Sequence, residues 1–295
     1  MFKNLSDGAK GAWCMIAGTL LLTTQDGITK WLTADYHAGE ILFYRGIFTF
    51  VPIALLVARA GRWRVLASRN LKGTLLRAGL GTATSIFVVL SFLDLPLATA
   101  LAIIFLGPVM LTALSLPLLD ERVGWRRWAA VIVGFAGVLI IVRPGAEGVP
   151  FFYIFPLITA LLSALRDVAT RHLRGTENSL SILFYSMLVA IVAGGASLPL
   201  LGGHWPGLLD WSLLATAGIL VAVSHLLTIQ ALLLAPGGTV APFKYLSLVW
   251  AGVIGYGVWG DVPDQWKLAG AALVVGAGLF ILHRELIPPR VDRDP

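Results

Sequence analysis

The chain has 295 residues, of which 57% are hydrophobic and only 13% are charged, and its mean hydropathy is +0.83. A water-soluble domain of this length needs far more charge to cover its surface, so the composition excludes a soluble globular protein and indicates a chain that lies in lipid. The net charge of +6 would suit a nucleic-acid partner, but the positions of the basic residues explain it better, and no such partner is expected.

Ten continuously apolar segments follow one another along the chain, each close to the roughly 20 residues that a helix needs to cross the hydrocarbon core. Membrane-spanning strands would instead alternate apolar and polar residues. In chain order, the predicted spans 1 to 10 are 11–33, 40–58, 73–93, 97–119, 125–142, 150–172, 180–201, 211–234, 238–259 and 266–284. We therefore expect an all-α membrane protein with ten transmembrane helices.

Span 1 follows Lys3 and Lys10, as a secretory signal would. It is too long for a signal, however, and ends at Lys30 and Trp31 without a small-residue cleavage site, so it is expected to stay in the mature protein. The single cysteine, Cys14, excludes an intrachain disulfide and a cysteine metal cluster. The sequence predicts no metal, no cofactor and no catalytic residue.

Basic residues are concentrated on one side of the predicted membrane. Fifteen Lys and Arg residues lie at the termini and in the loops after spans 2, 4, 6 and 8, whereas the opposite side carries three. The fifteen are Lys3, Lys10, Arg59, Arg62, Arg64, Arg69, Lys72, Arg122, Arg126, Arg127, Arg171, Arg174, Arg284, Arg290 and Arg293, and the three are Lys30, Arg143 and Lys267. The positive-inside rule predicts an inner-membrane protein with both termini in the cytoplasm.

The two halves of the chain are copies of each other. A shift of 141 residues aligns TLLLTTQDGITKWL at 19–32 with ALLSALRDVATRHL at 160–173, and ILFY at 41–44 with an identical ILFY at 182–185. Five spans have been duplicated, and because five is odd, the second copy is inverted in the membrane. The predicted repeats, 1–145 and 146–295, are therefore expected to surround a central cavity and to open it to each side in turn.

Several short motifs recur in a characteristic order: the pair Gly107-Pro108 in span 4, the short links LDLPLA and LAPGGT, and the acidic turns LDERVGW and WGDVPDQW. With them the chain resembles the drug/metabolite transporter superfamily, in its ten-helix EamA-type branch, and within it bacterial exporters of amino acids, including aromatic ones. The resemblance implies a cavity lined by spans 1 to 4 and 6 to 9, with spans 5 and 10 at the periphery.

Spans 5 and 10 carry stripes of small residues, Ala130 with Gly134 and Ala272 with Gly276. Such stripes allow close helix packing. They either pack within one chain or form a homodimer interface, and the sequence leaves both open.

Ionisable residues inside membrane spans are costly and usually face a cavity or a partner. Lys244 lies six residues into span 9; it either extends back to the cytoplasm or faces the cavity and attracts a carboxylate, and we favour the second. His225, near the middle of span 8, is either a hydrogen-bonded structural residue or a cavity contact that responds to protons. The further candidates for the substrate site are Phe243, Tyr245, Trp250, Thr23, Thr84, Ser85 and Ser163, although hydroxyls in membrane helices often bond their own backbone.

Three further charges are candidates for a gate or an ion pair. Asp26 and Arg45 lie at similar depth in spans 1 and 2, and Asp167 lies in the cytoplasmic half of span 6 beside other charges. Arg77, close to a helix end, is expected to extend back to the surface. The candidate hinges are Gly107, Pro108, Pro236, Gly237, Gly238 and Pro242.

The predicted function is a secondary transporter that exports amino acids, aromatic or otherwise neutral, by alternating access. The interior carries more Lys, Arg and His than acid, which favours a substrate with a carboxylate over a simple cation. Alternatives of the same fold are export of drugs or other metabolites. A membrane-embedded enzyme is a more distant alternative, because HExxH and DDxxD motifs are absent from the sequence. A scramblase is also a distant alternative; the repeat does not exclude it, and saturable, selective flux would distinguish a carrier from it. Proton-coupled and downhill transport both remain open.

Overall fold

The computed structural model describes residues 7–61, 63–119, 125–143, 150–173, 176–234 and 241–286. In these ranges all regular structure is helical, which confirms the predicted fold class. The α-helices are α1 Asp7–Leu32, α2 Ala38–Ala60, α3 Leu71–Ser91, α4 Leu97–Ile104, α5 Gly107–Leu119, α6 Trp125–Val142, α7 Ile154–His172, α8 Ser179–Leu201, α9 Leu208–Leu234, α10 Leu246–Trp259 and α11 Gln265–Leu286. Short 3-10 turns lie at Trp63–Leu66, Phe151–Tyr153 and Ala241–Tyr245.

Five of the described helical segments are long and apolar enough to cross a membrane by length and composition. They are Ala38–Arg59, Leu71–Ser91, Phe151–Thr170, Leu180–Leu201 and Leu208–Thr228, and shorter apolar helices cover Leu97–Leu111, Trp128–Val142 and Gln265–Phe280. Helix α1 has 26 residues, enough to cross, but it carries four charged side chains. Below, the terminal side is the side of the bundle at which α1 begins and α11 ends.

The two repeats begin their second helix in the same way. The side chain of His37 caps α2 by accepting from the backbone of Gly39 and Glu40, and Glu40 bonds back to the His37 backbone. Asn178 caps α8 by accepting from the backbone of Ser181. The two capping positions differ by 178 − 37 = 141 residues, the same shift that aligns the two halves of the sequence.

Span 4 is interrupted at Phe105 and Leu106, which form a turn between α4 and α5. Proline has no backbone N–H and breaks the regular ladder, so Pro108 accounts for a break at this point. Gly107 also lets α7 approach, because a Cβ there would lie 2.6 Å from Oγ of Ser163. Pro242 lies in the 3-10 turn that opens span 9, whereas Pro236, Gly237 and Gly238 lie outside the described residues. Hinge motion at these sites remains a prediction.

Helices of one repeat pack on helices of the other, and the pattern of pairs is the one expected when a two-fold axis relates the two repeats. Helix α1 packs on α9 and α3 packs on α7, while α2 packs on α8, α4 on α10 and α6 on α11. This is the two-repeat architecture expected from the sequence, with the central cavity between α2, α3, α7, α8 and α9. Spans 1, 4 and 9 were also expected to line the cavity, but none of its described lining residues comes from them. Helices α6 and α11 lie at the periphery and share a core of Leu106, Val109, Ile141 and Val274 with α4 and α5.

The small residues of α6 and α11 do not all have the same environment. Ala130 is buried, and a Cβ on Gly134 would lie 3.2 Å from Val109 of the same chain. On α11, Ala272 is exposed and Gly276 has no atom within 4 Å of its Cβ position. The first stripe therefore packs within the chain, and the homodimer through α6 and α11 remains a prediction.

Replacement of Gly270 by alanine is expected to destabilise the bundle. A Cβ at Gly270 would lie 3.1 Å from the backbone nitrogen of Ile141, and it would also press on the Gly137 carbonyl. Backbone atoms cannot rotate away, so the overpacking costs about 1–3 kcal/mol of unfolding free energy. Gly276→Ala on the same helix is the matched control, because its Cβ meets open space. Thermal unfolding in detergent should show a lower Tm for Gly270→Ala alone; equal Tm values would contradict the close packing.

Candidate functional site

A cavity of about 300 Å³ lies in the terminal-side half of the bundle. Helices α3, α7, α8 and α9 form its walls, and α2 contributes a side chain at the deep end. Its polar lining residues are Arg45, Arg77, Thr82, Ser85, Arg166, Thr170, Ser186 and His225. The cavity is therefore lined by three guanidinium groups, an imidazole and several hydroxyls.

In the opposite half, glycines bring α2 and α8 into close contact. A Cβ on Gly194 of α8 would lie 2.6 Å from the Gly39 carbonyl and 2.8 Å from the backbone nitrogen of Phe43. Gly46 of α2 packs against the side chain of Ile191. At Gly194 the two backbones meet with no side chain between them, so this half of the interface is closed.

The equivalent positions in the terminal-side half carry large side chains. With the 141-residue shift, Gly46 corresponds to Met187 and Gly194 corresponds to Ile53. Ile53 and Met187 belong to an apolar cluster between α2 and α8 that also contains a Phe50–Phe184 ring pair, with centroids 5.7 Å apart. The two backbones thus approach closely in one half, whereas large apolar side chains fill the space between the same helices in the other half, in which the cavity lies.

Loop contacts between the repeats reinforce the closed half. Glu40, fully buried, accepts from the backbone nitrogen of His204 at 2.6 Å, and Tyr36 donates to Asp210 at 2.8 Å. Burial and the contact with Asp210 raise the pKa of Tyr36 to about 12, so its phenol remains a donor across the working pH range. Within the first repeat, Lys30 donates to the carbonyl of Leu95 at 2.5 Å on the same side of the bundle.

Glu177 ties together two loops on the terminal side. One of its oxygens accepts from the Asn70 backbone at 2.5 Å and from Ser68 at 2.8 Å, and the other accepts from Ser181 at 3.3 Å. Slight burial raises the pKa of Glu177, but these hydrogen bonds, with one from the Arg69 backbone, outweigh it and hold the pKa below its usual value. The carboxylate is therefore charged and bonded near neutral pH.

Arg77 does not extend to the surface as the sequence suggested. Its Nε donates to Thr170 at 3.2 Å and its Nη1 donates to Ser186 at 2.5 Å, which fixes the guanidinium in the cavity wall. Among the ion pairs of the described residues, none joins Arg77 to a carboxylate within 4.0 Å. Two hydroxyls orient this charge, and Asp167 acts on it only from beyond contact distance.

The other two arginines are anchored differently. Arg166 donates twice to its neighbour Asp167, at 3.0 and 3.1 Å, so Asp167 forms the ion pair with an adjacent residue of its own helix. Arg45 donates to Thr29 at 3.3 Å. The candidate pair Asp26–Arg45 is not in contact within 4.0 Å in the part of the chain described, although the two charges interact at longer range.

His225 and Lys244 lie near this cationic cluster. His225 lines the cavity, and the positive charges of Arg166, Arg77, Arg45 and Lys244 all act on its ring. Lys244 lies in the 3-10 turn Ala241–Tyr245, and its charge interacts with those of Asp167 and Arg166. Both candidates thus lie within electrostatic reach of the cavity, and their roles in binding remain proposals.

Of the predicted hydroxyls, only Ser85 lies in the described cavity wall. Thr23, Thr84 and Ser163 donate instead to the carbonyls of Thr19, Leu80 and Ala160 within their own helices. Ser85 itself donates to the carbonyl of Gly81. Thr82, which the sequence analysis passed over, lines the cavity with a buried hydroxyl that has no hydrogen-bond partner among the described residues.

The three aromatic candidates pack between helices outside the described cavity lining. Tyr245 stacks near Phe105 of the α4–α5 turn, with ring centroids 5.1 Å apart. Phe243 packs in the small cluster around Met15, and the buried indole nitrogen of Trp250 has no hydrogen-bond partner in the described part of the chain. Their contribution to substrate binding remains a prediction.

The sequence reasoning missed Thr170 and Ser186, although the repeat carried a signal for both. Thr170 is the equivalent of Thr29, and Ser186 is the equivalent of Arg45. Each threonine binds an arginine, Arg45 in one half and Arg77 in the other. Polar residues at equivalent positions of the two repeats were therefore a signal for Thr170 and Ser186, which line the cavity.

The sequence matches the model of the EamA-like transporter family twice, at residues 9–143 and 147–283. The chain belongs to this family. It is a multi-pass membrane transporter and not an enzyme, and the family resemblance recognised in the sequence is confirmed.

Three relatives of this EamA-like transporter have named cargo. An S-adenosylmethionine uptake transporter of Rickettsia bellii is 30% identical and covers 89% of this chain and 90% of its own. A riboflavin transporter of Rhizobium johnstonii is 27% identical, and the match covers 96% of this chain and 93% of the relative. A pseudopaline exporter of Pseudomonas aeruginosa is 25% identical, and the match covers 90% of this chain and 94% of the relative. These relatives include both uptake and export, so amino-acid export is not supported by them.

A solved crystal structure shares the fold. It is 16% identical to the transporter, with a TM-score of 0.64, and the match covers 95% of this chain and 99% of the other.

Proposed function

We propose that this EamA-like transporter moves a small organic metabolite with an amino-acid head group by alternating access, and that the substrate carboxylate binds Arg77. The observation that carries the proposal is the environment of Arg77. Its guanidinium is held by Thr170 and Ser186 in the cavity wall, and no carboxylate of the described residues pairs with it.

A guanidinium in this position favours an anionic ligand. An unneutralised charge inside a membrane protein is costly, and it usually faces a cavity or pathway that supplies its partner. Arginine has five N–H donors, of which Arg77 uses two on hydroxyls, so three are left for the substrate. Arginine and carboxylate groups form paired, charge-assisted hydrogen bonds. The two hydroxyls thus orient the Arg77 guanidinium, and the substrate carboxylate neutralises its charge.

The balance of charge around the cavity favours a substrate that carries a carboxylate. Three arginines line the cavity, and two acids act on them: Asp167 in contact with Arg166 and Asp26 at longer range from Arg45. With Lys244 nearby, the positive charges outnumber these acids, which suits the carboxylate of a zwitterion. The volume of about 300 Å³ lies at the lower end of the range for small-molecule sites, about 300–1,000 Å³.

The cargo named for the relatives suggests which substrates should be tested first. S-adenosylmethionine, the cargo named for the Rickettsia bellii relative, has an amino-acid head group and therefore a carboxylate that could bind Arg77. Free amino acids have the same head group, and their export remains our second proposal. Because the sequence contains no P-loop, transport is proposed to follow the gradients of the substrate or of protons rather than ATP hydrolysis by this chain.

Uptake by proteoliposomes tests the proposal with pairs of substrates that differ only in the carboxylate. The pairs are S-adenosylmethionine with decarboxylated S-adenosylmethionine, and phenylalanine with phenethylamine. The flux of each substrate is measured with and without a pH gradient, and with the substrate gradient directed either into or out of the vesicles. The measurements are made on the wild type and on Lys244→Ala. We expect saturable flux of at least one carboxylate-bearing member and little flux of its partner. Equal flux of both members of each pair, or no saturable flux of either acid, would overturn the carboxylate assignment.

A further inference from the structure

A second cavity, separate from the cationic one, opens near the side opposite the termini. It has a volume of about 490 Å³ and lies between α4, α10 and α11, with a smaller space of about 40 Å³ beside it. Ala102, Leu248, Gly252 and Ala271 contribute to its apolar walls. None of the three arginines of the cationic cavity lines it. We refer to it as the α4–α10–α11 groove.

The groove is open toward the lipid rather than toward the centre of the bundle. Val249, Val253, Tyr256 and Leu268 line it and are all more than half exposed, at 54%, 62%, 66% and 56%. Large apolar side chains exposed in this way on a membrane-spanning bundle face acyl chains. An acyl chain that enters the groove would stay in contact with the bilayer.

One end of the groove is polar and carries both signs of charge. Asp261 and Lys267 line both the large and the small space. The Oδ2 atom of Asp261 is buried, and it has no hydrogen-bond partner in the described part of the chain. A buried carboxylate oxygen without a donor is costly. The positive charge of Lys30 acts on Asp261, but no ion pair within 4.0 Å joins them in the described residues.

We propose that the α4–α10–α11 groove binds a phospholipid with an ethanolamine head group, in the leaflet opposite the termini. Its acyl chain occupies the apolar walls, its ammonium donates to Asp261, and its phosphate binds Lys267. A choline head group has no N–H to donate, and an anionic lipid without an ammonium would bring its phosphate near the Asp261 carboxylate. The pair of opposite charges therefore selects a zwitterionic lipid with a hydrogen-bond donor.

This lipid contacts two helices that belong to irregular spans. Helix α4 ends at the break before Gly107, and α10 follows the 3-10 turn Ala241–Tyr245. The affinity of a ligand bound between α4 and α10 would change if the distance between these helices changed. The lipid is thus placed to bias the conformational equilibrium of the transporter, whatever substrate the cationic cavity carries.

Binding to the delipidated, full-length protein tests the site. Phospholipids with ethanolamine, choline and glycerol head groups and identical acyl chains are titrated, and binding is followed by native mass spectrometry and by the rise in Tm. We expect the ethanolamine lipid to bind about tenfold more tightly than the choline lipid, the effect of one charge-assisted hydrogen bond. Equal binding of the two, or a preference for the anionic glycerol lipid, would overturn the proposal.

Three variants distinguish the contribution of the lipid head group to binding from that of the acyl chain. Asp261→Asn is expected to remove the ethanolamine preference, while Asp35→Asn, in an exposed loop on the same side, retains it. Gly252→Leu adds a side chain at a position with nothing within 4 Å of its Cβ, so it should fill the groove and weaken all three lipids alike. The Tm of each variant without lipid shows that it is folded. An unchanged preference in Asp261→Asn would contradict the assignment of the head-group site.

Discussion

Arg77→Gln is expected to lower the transport efficiency for a carboxylate-bearing substrate by about 30-fold or more. The variant keeps a polar side chain of moderate length but removes the charge that Thr170 and Ser186 hold in the cavity wall. Loss of one partner of a desolvated charge pair costs about 2–5 kcal/mol, and about 1.4 kcal/mol corresponds to a factor of ten. Initial rates of uptake by proteoliposomes over a range of substrate concentrations give the measurement.

Two further variants make this result specific. Arg64→Gln removes an exposed arginine in the 3-10 turn after α2, outside the cavity lining, and should transport normally. Arg77→Lys keeps the charge but cannot bind two hydroxyls and a carboxylate with one planar fork, so we expect only partial recovery. If Arg77→Gln transports the acid as well as wild type does, the carboxylate does not bind Arg77.

Gly194→Ala is expected to open the closed half of the bundle. The new methyl group would meet the Gly39 carbonyl and the Phe43 nitrogen, both of them backbone atoms, so α2 and α8 must separate at this end. Overpacking of this kind costs about 1–3 kcal/mol, and that cost falls only on the state in which this half is closed. The population should therefore shift toward a state open on the side opposite the termini.

Cysteine labelling measures the shift. Thr29 is only 1% exposed and accepts a hydrogen bond from Arg45, and Thr29→Cys in a Cys14→Ser background places one thiol at this buried position. A membrane-impermeant maleimide added on the side opposite the termini should react faster when Gly194→Ala is present. Gly257→Ala, on the exposed face of α10 with nothing near its Cβ, is the control. Labelling that stays at the control rate while the Tm falls would show that this contact stabilises the bundle without gating it.

The sequence indicated only some of the residues that line the cavity. His225, Ser85 and Arg45 line it and were noticed because polar residues stand out in apolar spans, whereas Lys244 is not among the described lining residues and its role in binding stays a prediction. Arg77 was misjudged, because its distance from a helix end says nothing about Thr170 and Ser186, which reach it from two other helices. The aromatic candidates were chosen for their nearness to Lys244 in sequence, and helical geometry directs such neighbours to different faces.

The sequence by itself determined that the chain lies in lipid, that it crosses as helices, and that its two halves are inverted copies. Hydropathy and a 141-residue repeat are properties of the linear chain, and no folding is needed to read them. Only the tertiary structure decided which half of the bundle is closed, because closure depends on whether glycine or a large side chain meets the facing helix, as at Gly194 and Ile53. It likewise decided that Arg77 is held without an acid, because neutralisation depends on which residues of α7 and α8 reach the guanidinium after packing.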